Sequence, residues 1–231
     1  RSDRHLLLVG DIEQVCSMIT SSLCCESHVV KQFCSFHTGY VTQRPTKLTV
    51  RERLIETADR LFYTEGIHTV GIDRIIAESG VAKSTMYVYF RTKEDLIAEY
   101  LRRRSDQTRQ RFSAAIEVSD GRSAVERVLS VFDELQVVIS EPNFRGCAFV
   151  NAAADYPDHG GIQAAIREDR QWLPCLFSDL LGAAGIQEAS GLICELVQLY
   201  DGANVAAYLD QSTDSAMTAR KVAKQLLAEH E

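Results

Sequence analysis

Apolar residues recur at helical spacing along most of the chain. The first such stretch ends at Gly66, where a left-handed backbone is tolerated. Its apolar positions share one helix face and are Leu54, Ile55, Ala58, Leu61 and Phe62. Three more helices are predicted over about 70–79, over about 82–89 and from Thr92 onward, with Gly80 separating the first two of these.

Five further amphipathic stretches follow Gly121. They cover about 123–140, 148–155, 161–181, 189–210 and 214–229. Pro174 lies inside the third stretch and is expected to kink or split that helix. Thr92 and Asp95 are expected to open the fourth helix with a capping box. Only four prolines occur among 231 residues, and good helix formers are frequent after Thr49, so the predicted fold class is all-α.

The second and third helices have the outline of a helix-turn-helix. Val81 and Met86 are expected to hold the third helix against Ile72 and Ile76. Its outward face then carries hydroxyls, phenols and one cation, which hydrogen-bond to phosphates and to base edges in the major groove. These residues are Lys83, Ser84, Thr85, Tyr87 and Tyr89. Each alone has a simpler explanation, because a lysine is usually solvated and Tyr87 could be a core aromatic.

Two cations outside the third helix complete the predicted DNA-binding surface. Lys93 would lie beside the backbone of the same DNA, and Arg51 on the first helix would reach a flanking phosphate. The charge distribution agrees with this prediction. Residues 44–112 hold 14 Lys/Arg against 10 Asp/Glu, whereas the rest of the chain holds 11 against 22. A mildly basic segment is thus joined to an acidic remainder, within a net charge of −7.

The stretch from Arg51 to Leu101 resembles the N-terminal domain of TetR-family regulators. The resemblance rests on three segments in register, which are the turn AESGV at 77–81, the segment KSTMY at 83–87 and the segment YFRTKEDL at 89–96. Family members often have Gly, a second aromatic residue and His at three positions where this chain differs. Those positions are Ser84, Val88 and Tyr89. The departures affect individual base contacts rather than the domain.

The pattern along the chain indicates three parts, and the resemblance implies the roles of the last two and a regulatory mechanism. An N-terminal extension over 1–43 precedes a helix-turn-helix DNA-binding domain over 44–95 and a helical ligand-binding and dimerisation domain over 96–231. Members of this family bind double-stranded operator DNA as homodimers, and a small molecule in the body shifts the spacing of the two DNA-binding heads. The chain is therefore expected to be a cytoplasmic repressor that a small-molecule inducer releases from its operator, with no cofactor.

The dimer is expected to form through the last two long helices. Both carry apolar stripes with small residues. The stripe of the first comprises Ile193, Leu196, Val197, Tyr200 and residues 204–208, and that of the second comprises Ala216, Ala219, Val222, Ala223, Leu226 and Leu227. A core within one chain would give the same pattern.

Candidate inducer contacts are polar or aromatic side chains on otherwise apolar helix faces of the body. They are Phe132, Gln136, Phe149, Asn151, Trp172, Tyr200 and Asn204. The alternative is that most of them are ordinary core or interface residues.

Two alternatives keep the fold and change the regulation. One is a DNA-binding protein of the same fold without an inducer. The other is a redox-responsive regulator that senses through Cys147, because a thiol at a helix N-terminus is expected to have a lowered pKa. The segment 145–155 around this cysteine looks like one shared by a large branch of the family, where it leads into a helix near the ligand pocket.

Other function classes find little support. The chain has no nucleophile turn, no phosphate-binding glycine loop and no H-E-x-x-H helix, so an enzyme is not expected. It has no apolar run of the roughly 18 to 20 residues that cross a bilayer, and its seven cysteines form no disulfide framework. An N-terminal metal site is a weak alternative because its ligand spacing is short; its residues would be Cys24 or Cys25, His28, Cys34 and His37.

Overall fold

The computed structural model describes residues 48–118, 122–187 and 189–230, and these ranges contain nine α-helices and no strand. The helices are α1 (Val50–Glu65), α2 (Ile72–Ser79), α3 (Lys83–Tyr89), α4 (Lys93–Val118), α5 (Ala124–Ile139), α6 (Ala148–Asp155), α7 (Gly160–Ala183), α8 (Ser190–Leu209) and α9 (Ser215–Ala228). The predicted all-α fold is confirmed. The cysteines and histidines of the N-terminal metal hypothesis lie outside the described residues.

Helix α1 begins and ends as its sequence dictates. The Thr49 hydroxyl accepts a hydrogen bond from the Glu52 backbone N–H at 3.2 Å, and the Glu52 carboxylate accepts one from the Thr49 N–H at 2.7 Å. This capping box satisfies two N–H groups that have no partner inside the helix. Gly66 ends the helix with a φ of +93°. All five predicted core positions of α1 are buried.

The turn between α2 and α3 depends on Gly80, whose φ of 63° and ψ of 29° are left-handed. Beyond the turn, Val81 and Met86 are buried as predicted. On α2, the fully buried residue is Ile75, and the partly buried Ile72 and Ile76 pack beside it. The helix-turn-helix therefore has an apolar core that fixes which side of α3 faces outward.

Helix α4 begins with the predicted capping box and runs from the DNA-binding segment into the body. The Thr92 hydroxyl accepts from the Asp95 N–H at 3.1 Å, and the Asp95 carboxylate accepts from the Thr92 N–H at 3.3 Å. At 26 residues the helix is about 39 Å long. Because α4 continues across position 95 without a break, the predicted domain boundary there stays a prediction.

Two apolar cores lie along α4. The first joins α1–α4 to α6 and the start of α7, through Phe149, Ala152, Ile162 and Ile166. The second lies in the body between the later part of α4, α5, α7, α8 and α9. The DNA-binding helices therefore share a core with the helices that follow the Cys147 segment.

The split considered at Pro174 does not occur. Helix α7 runs unbroken from Gly160 to Ala183 with Pro174 inside it. A proline removes one backbone hydrogen bond of the helix. Here its neighbours Leu173 and Phe177 are buried in the body core, which holds the helix on both sides of the proline. None of the helices in the described ranges is long and apolar enough to cross a membrane.

The stripes predicted for the dimer lie mostly inside the single chain. Leu196 and Val197 on α8 and Ala219, Ala223 and Leu227 on α9 are buried in the body core. Val205 and Tyr208 on α8 and Val222 on α9 also belong to the predicted stripes but are exposed, and Leu209 and Met217 are further exposed apolar residues of the two helices. Most of the predicted stripe therefore packs inside its own chain, and the rest of it remains exposed together with Leu209 and Met217.

Candidate DNA-binding surface and ligand cavity

The outward face of α3 carries the residues predicted to contact DNA. Lys83 and Ser84 are exposed, and Thr85 is half-buried. Tyr87 is 45% exposed and Tyr89 is 46% exposed, so neither is a core aromatic. Phe90 is only 4% exposed and packs into the core. The face thus presents an ammonium, hydroxyls and phenols to the solvent on one short helix, with Val88 also exposed beside them.

Lys83 is paired with a carboxylate of α2. Its Nζ lies 2.8 Å from Asp73 Oδ1 on α2, and this contact raises the pKa of Lys83 above its usual value. Both side chains are largely exposed. A phosphate could therefore take the place of Asp73 at little cost, since an exposed ion pair contributes little to stability.

Lys93 and Arg51 are engaged with the protein itself. Lys93 is half-buried, and its Nζ donates to the Ile67 carbonyl at 2.6 Å. Burial lowers the pKa of Lys93. Arg51 pairs with Glu99 at 2.6 Å. These contacts give both cations a role in holding α1, α4 and the loop between α1 and α2 together, and their contact with DNA stays a prediction.

A cavity of about 890 Å³ lies among α1, α4, α5, α6, α7 and α8. Four of the predicted inducer contacts line it, which are Phe149, Trp172, Tyr200 and Asn204. The other three lie elsewhere. Phe132 is fully buried and stacks on Phe177 at 6.1 Å, Gln136 donates to the Thr213 carbonyl at 2.5 Å, and Asn151 is exposed. The predicted residues on α8 thus line the cavity, whereas those on α5 do not.

One side of the cavity is aromatic. The ring of Phe112 meets Trp172 edge to face at 5.6 Å and Tyr200 at 6.0 Å between centroids. Burial raises the pKa of Tyr200, so its phenol remains protonated at neutral pH. The sequence analysis did not identify Phe112, although the residue sits on the apolar side of α4.

Charged side chains complete the cavity wall, and most of them are paired. Arg111 contacts Glu134 at 2.8 Å and Glu141 at 2.5 Å. Arg170 contacts Asp201 at 2.8 Å. Sequence reasoning missed these residues because a charged position on a helix looks solvated unless its tertiary partner is known.

Asp169 stands apart from these pairs. Its carboxylate accepts a hydrogen bond from the Ser105 hydroxyl at 2.8 Å. Burial raises the pKa of Asp169, although the nearby Arg109 and Arg170 act in the opposite direction. A carboxylate is therefore held in the cavity wall in surroundings that solvate it poorly.

Known proteins show the same architecture. The sequence pattern described as "Bacterial regulatory proteins, tetR family" matches residues 54–100. A solved structure, the TetR-family transcriptional regulator SCO4454 from Streptomyces coelicolor, is 37% identical, with a TM-score of 0.68, and the match covers 76% of this chain and 94% of that one. The chain belongs to the TetR family. It is accordingly a transcriptional regulator with a helix-turn-helix DNA-binding domain and a helical C-terminal domain.

Other relatives match this TetR-family chain over most of its length or over a shorter stretch. The reduced form of Escherichia coli NemR is 23% identical over 76% of this chain and 95% of its own, with a TM-score of 0.68. The Bacillus subtilis regulator YxaF is 42% identical over 50 residues. The match spans only 26% to 36% of the length of the first curated relatives.

Cys147 does not have the lowered pKa that is expected for a thiol at a helix N-terminus. The residue is the N-cap of α6 and lines the cavity. Burial raises its thiol pKa, and this effect outweighs the hydrogen bonds from the backbone N–H groups of Val150 and Phe149. The expectation of an activated thiolate was therefore wrong, because desolvation at this helix terminus is stronger than the helix dipole.

Tyr63 connects the DNA-binding segment to the cavity. Its hydroxyl donates to the Gly146 carbonyl at 3.2 Å and accepts from the Arg145 N–H at 3.0 Å. The Arg104 guanidinium lies 3.5 Å above its ring, and Arg104 also pairs with Asp59 at 2.6 Å. Tyr63 and Arg104 both line the cavity. Helix α1 of the DNA-binding segment is thus part of the cavity wall.

Proposed function

We propose that this chain is a repressor that binds its operator as a homodimer through α3 and releases it when a small molecule occupies the cavity. The observation that carries the proposal is the position of the cavity, whose wall includes Tyr63 and Arg104 beside the helix-turn-helix. The E. coli protein named a transcriptional repressor, NemR, is 23% identical over 96% of its own length, which favours repression over activation.

The proposed contacts to DNA are Lys83, Ser84, Thr85, Tyr87 and Tyr89. Lys83 supplies charge for a phosphate, and the two phenols reach base edges, because their rings are already exposed on α3. Lys93 and Arg51 are proposed as second contacts that first give up their protein partners. The mildly basic segment containing α3 supports this arrangement.

The proposed route from ligand to DNA runs through α1. A ligand that moves the loop at Gly146 changes the two hydrogen bonds of Tyr63, and Tyr63 lies on the helix that packs against α2 and α3. A displacement there alters the angle of α3 relative to the body. In a dimer, the same displacement changes the spacing of the two recognition helices and shifts the population toward the unbound state.

The test is binding of the full chain to the DNA upstream of its own gene across a salt series. Lys83→Ala is expected to weaken binding and to reduce the slope of log affinity against log salt by about one per lysine, so about two per dimer. Tyr87→Phe is expected to cost about 1 to 3 kcal/mol on this DNA and little on unrelated DNA. Lys221→Ala, at an exposed lysine of α9, is the control and should leave both quantities unchanged.

Either of two outcomes would reject the proposal. If the dimer is intact and the upstream DNA binds no better than unrelated DNA, then α3 does not read this operator. If Lys83→Ala and Lys221→Ala change the salt slope equally, the attraction is a general charge effect rather than a contact of α3.

A further inference from the structure

The carboxylate of Asp169 differs from the other charged groups in the cavity wall. The four arginines that line the cavity each have a carboxylate partner, and the pairs are Arg60–Glu78, Arg104–Asp59, Arg111–Glu134 and Arg170–Asp201. Arg111 also pairs with the lining residue Glu141. Within the described part of the chain, Asp169 forms no ion pair and accepts only the hydroxyl hydrogen bond from Ser105.

Aromatic rings lie next to this carboxylate. Asp169 and Trp172 are three residues apart on α7, so they point from the same side of the helix. Tyr200 faces them from α8, near enough for the Asp169 charge to affect its phenol. Phe112 contacts both rings edge to face. The negative face of an aromatic ring attracts a cation, and a buried carboxylate gains most from one.

Asn204 adds an unsatisfied acceptor to the same cavity. Its buried side-chain oxygen receives no hydrogen bond from any residue of the described ranges. An N–H group of a ligand that reaches this oxygen would satisfy it. The arginines that line the cavity do not oppose this, because carboxylates already compensate their charges. Arg109, whose charge also acts on Asp169, lies outside the lining and donates to the Glu168 carbonyl at 3.0 Å.

We propose that the cavity binds a hydrophobic organic cation, an ammonium group on an aromatic or branched alkyl body, with Asp169 as its counter-ion. This inference rests on the proposed function and names the chemical class of the inducer. Trp172 and Tyr200 provide ring faces beside the ammonium group, and Asn204 accepts one of its N–H groups. The body of the ligand occupies the apolar part of the cavity beside Phe112 and Phe149.

The probes are three compounds of one shape that differ in charge. They are 4-tert-butylbenzylammonium, 4-tert-butylbenzyl alcohol and 4-tert-butylbenzoate. Trp172 is the single tryptophan of the chain and lines the cavity, so its fluorescence reports binding at this place. The ammonium compound is expected to bind at least about tenfold more tightly than the alcohol, and the benzoate most weakly.

Two variants assign the preference to the carboxylate. Asp169→Asn keeps the shape and is expected to reduce binding of the ammonium compound about tenfold, to the level of the alcohol. Glu168→Gln removes an exposed carboxylate from the neighbouring position and should leave the preference intact. Unchanged binding of the alcohol by Asp169→Asn shows that the cavity of this variant is still folded.

The inference is overturned if the alcohol or the benzoate binds as tightly as the ammonium compound, if Asp169→Asn keeps the preference, or if none of the three probes binds. These measurements use no DNA, so they are independent of operator binding. A chain that prefers the cation but does not bind its upstream DNA would overturn the proposed function and leave this inference standing. A chain that binds its operator and prefers the alcohol would overturn this inference and leave the proposed function standing.

Discussion

At the scale of single residues, burial decides the chemistry of the cavity. From sequence alone, a cysteine at a helix N-terminus suggests a reactive thiolate. An aspartate on a helix surface suggests a solvated carboxylate. In the structure, burial instead raises the pKa of both Cys147 and Asp169. Backbone hydrogen bonds at Cys147 act the other way, as do the Ser105 hydroxyl and the nearby arginines at Asp169, and desolvation is the larger effect at each site. The neutral thiol is therefore the form of Cys147 at neutral pH.

Alkylation of Cys147 by iodoacetamide tests this conclusion. The thiolate is the reactive form, so a raised pKa leaves less of it at pH 7.5. We expect slower modification of Cys147 than of a synthetic peptide with the sequence of residues 143–151, and a rate that still increases above pH 9. Peptide mapping by mass spectrometry measures both rates. A rate profile whose midpoint lies below that of the peptide would contradict the raised pKa and restore the redox alternative.

At the scale of elements, the helix ends and the turns follow from local chemistry. Two capping boxes and two glycines with positive φ set the limits of α1, α2 and α4. Gly80 tests this idea most clearly, because a Cβ added at this position would have Arg53 Nη1 as its nearest neighbour, 3.9 Å away. Space is therefore available for a side chain, and only the left-handed backbone opposes one.

Replacing Gly80 with alanine is expected to lower the free energy of unfolding by about 1 to 2 kcal/mol, because alanine is strained at this φ. Gly182→Ala is the matched control, since Gly182 lies in α7 with a negative φ and open space around it. That change should stabilise the chain by up to about 1 kcal/mol. Chemical denaturation measures both values, and equal effects of the two substitutions would contradict the role of Gly80.

The elements were predictable from sequence to a greater degree than the site. Caps and turn glycines act within a few residues, so Thr92 with Asp95 and Gly80 could be identified locally. The apolar face of a helix could also be predicted, but not the element against which that face packs. Phe132, for example, faces α7 in the body core and not the cavity. Asp169 was missed because its importance depends on Ser105, 64 residues away, and on rings from three helices.

At the scale of the whole molecule, the DNA-binding segment and the cavity are parts of one continuous structure. Helix α4 contributes Tyr100 and Leu101 to one core and Phe112 to the other. Tyr63 ties α1 to the loop before α6. Packed side chains rather than a flexible linker therefore join the cavity to the DNA-binding helices, as the proposed route from ligand to DNA requires. We propose the outward apolar residues of α8 and α9 as the surface for a second copy.

Selection of bound sequences from a random duplex library by the full chain tests the central claim most directly. A dimer that reads DNA through α3 is expected to enrich one two-fold symmetric sequence with two matching half-sites, and the double variant Lys83→Ala, Tyr87→Ala should lose this enrichment while keeping its dimer mass. If the intact wild-type dimer enriches no sequence, or if the double variant enriches the same one, the chain does not read an operator through α3.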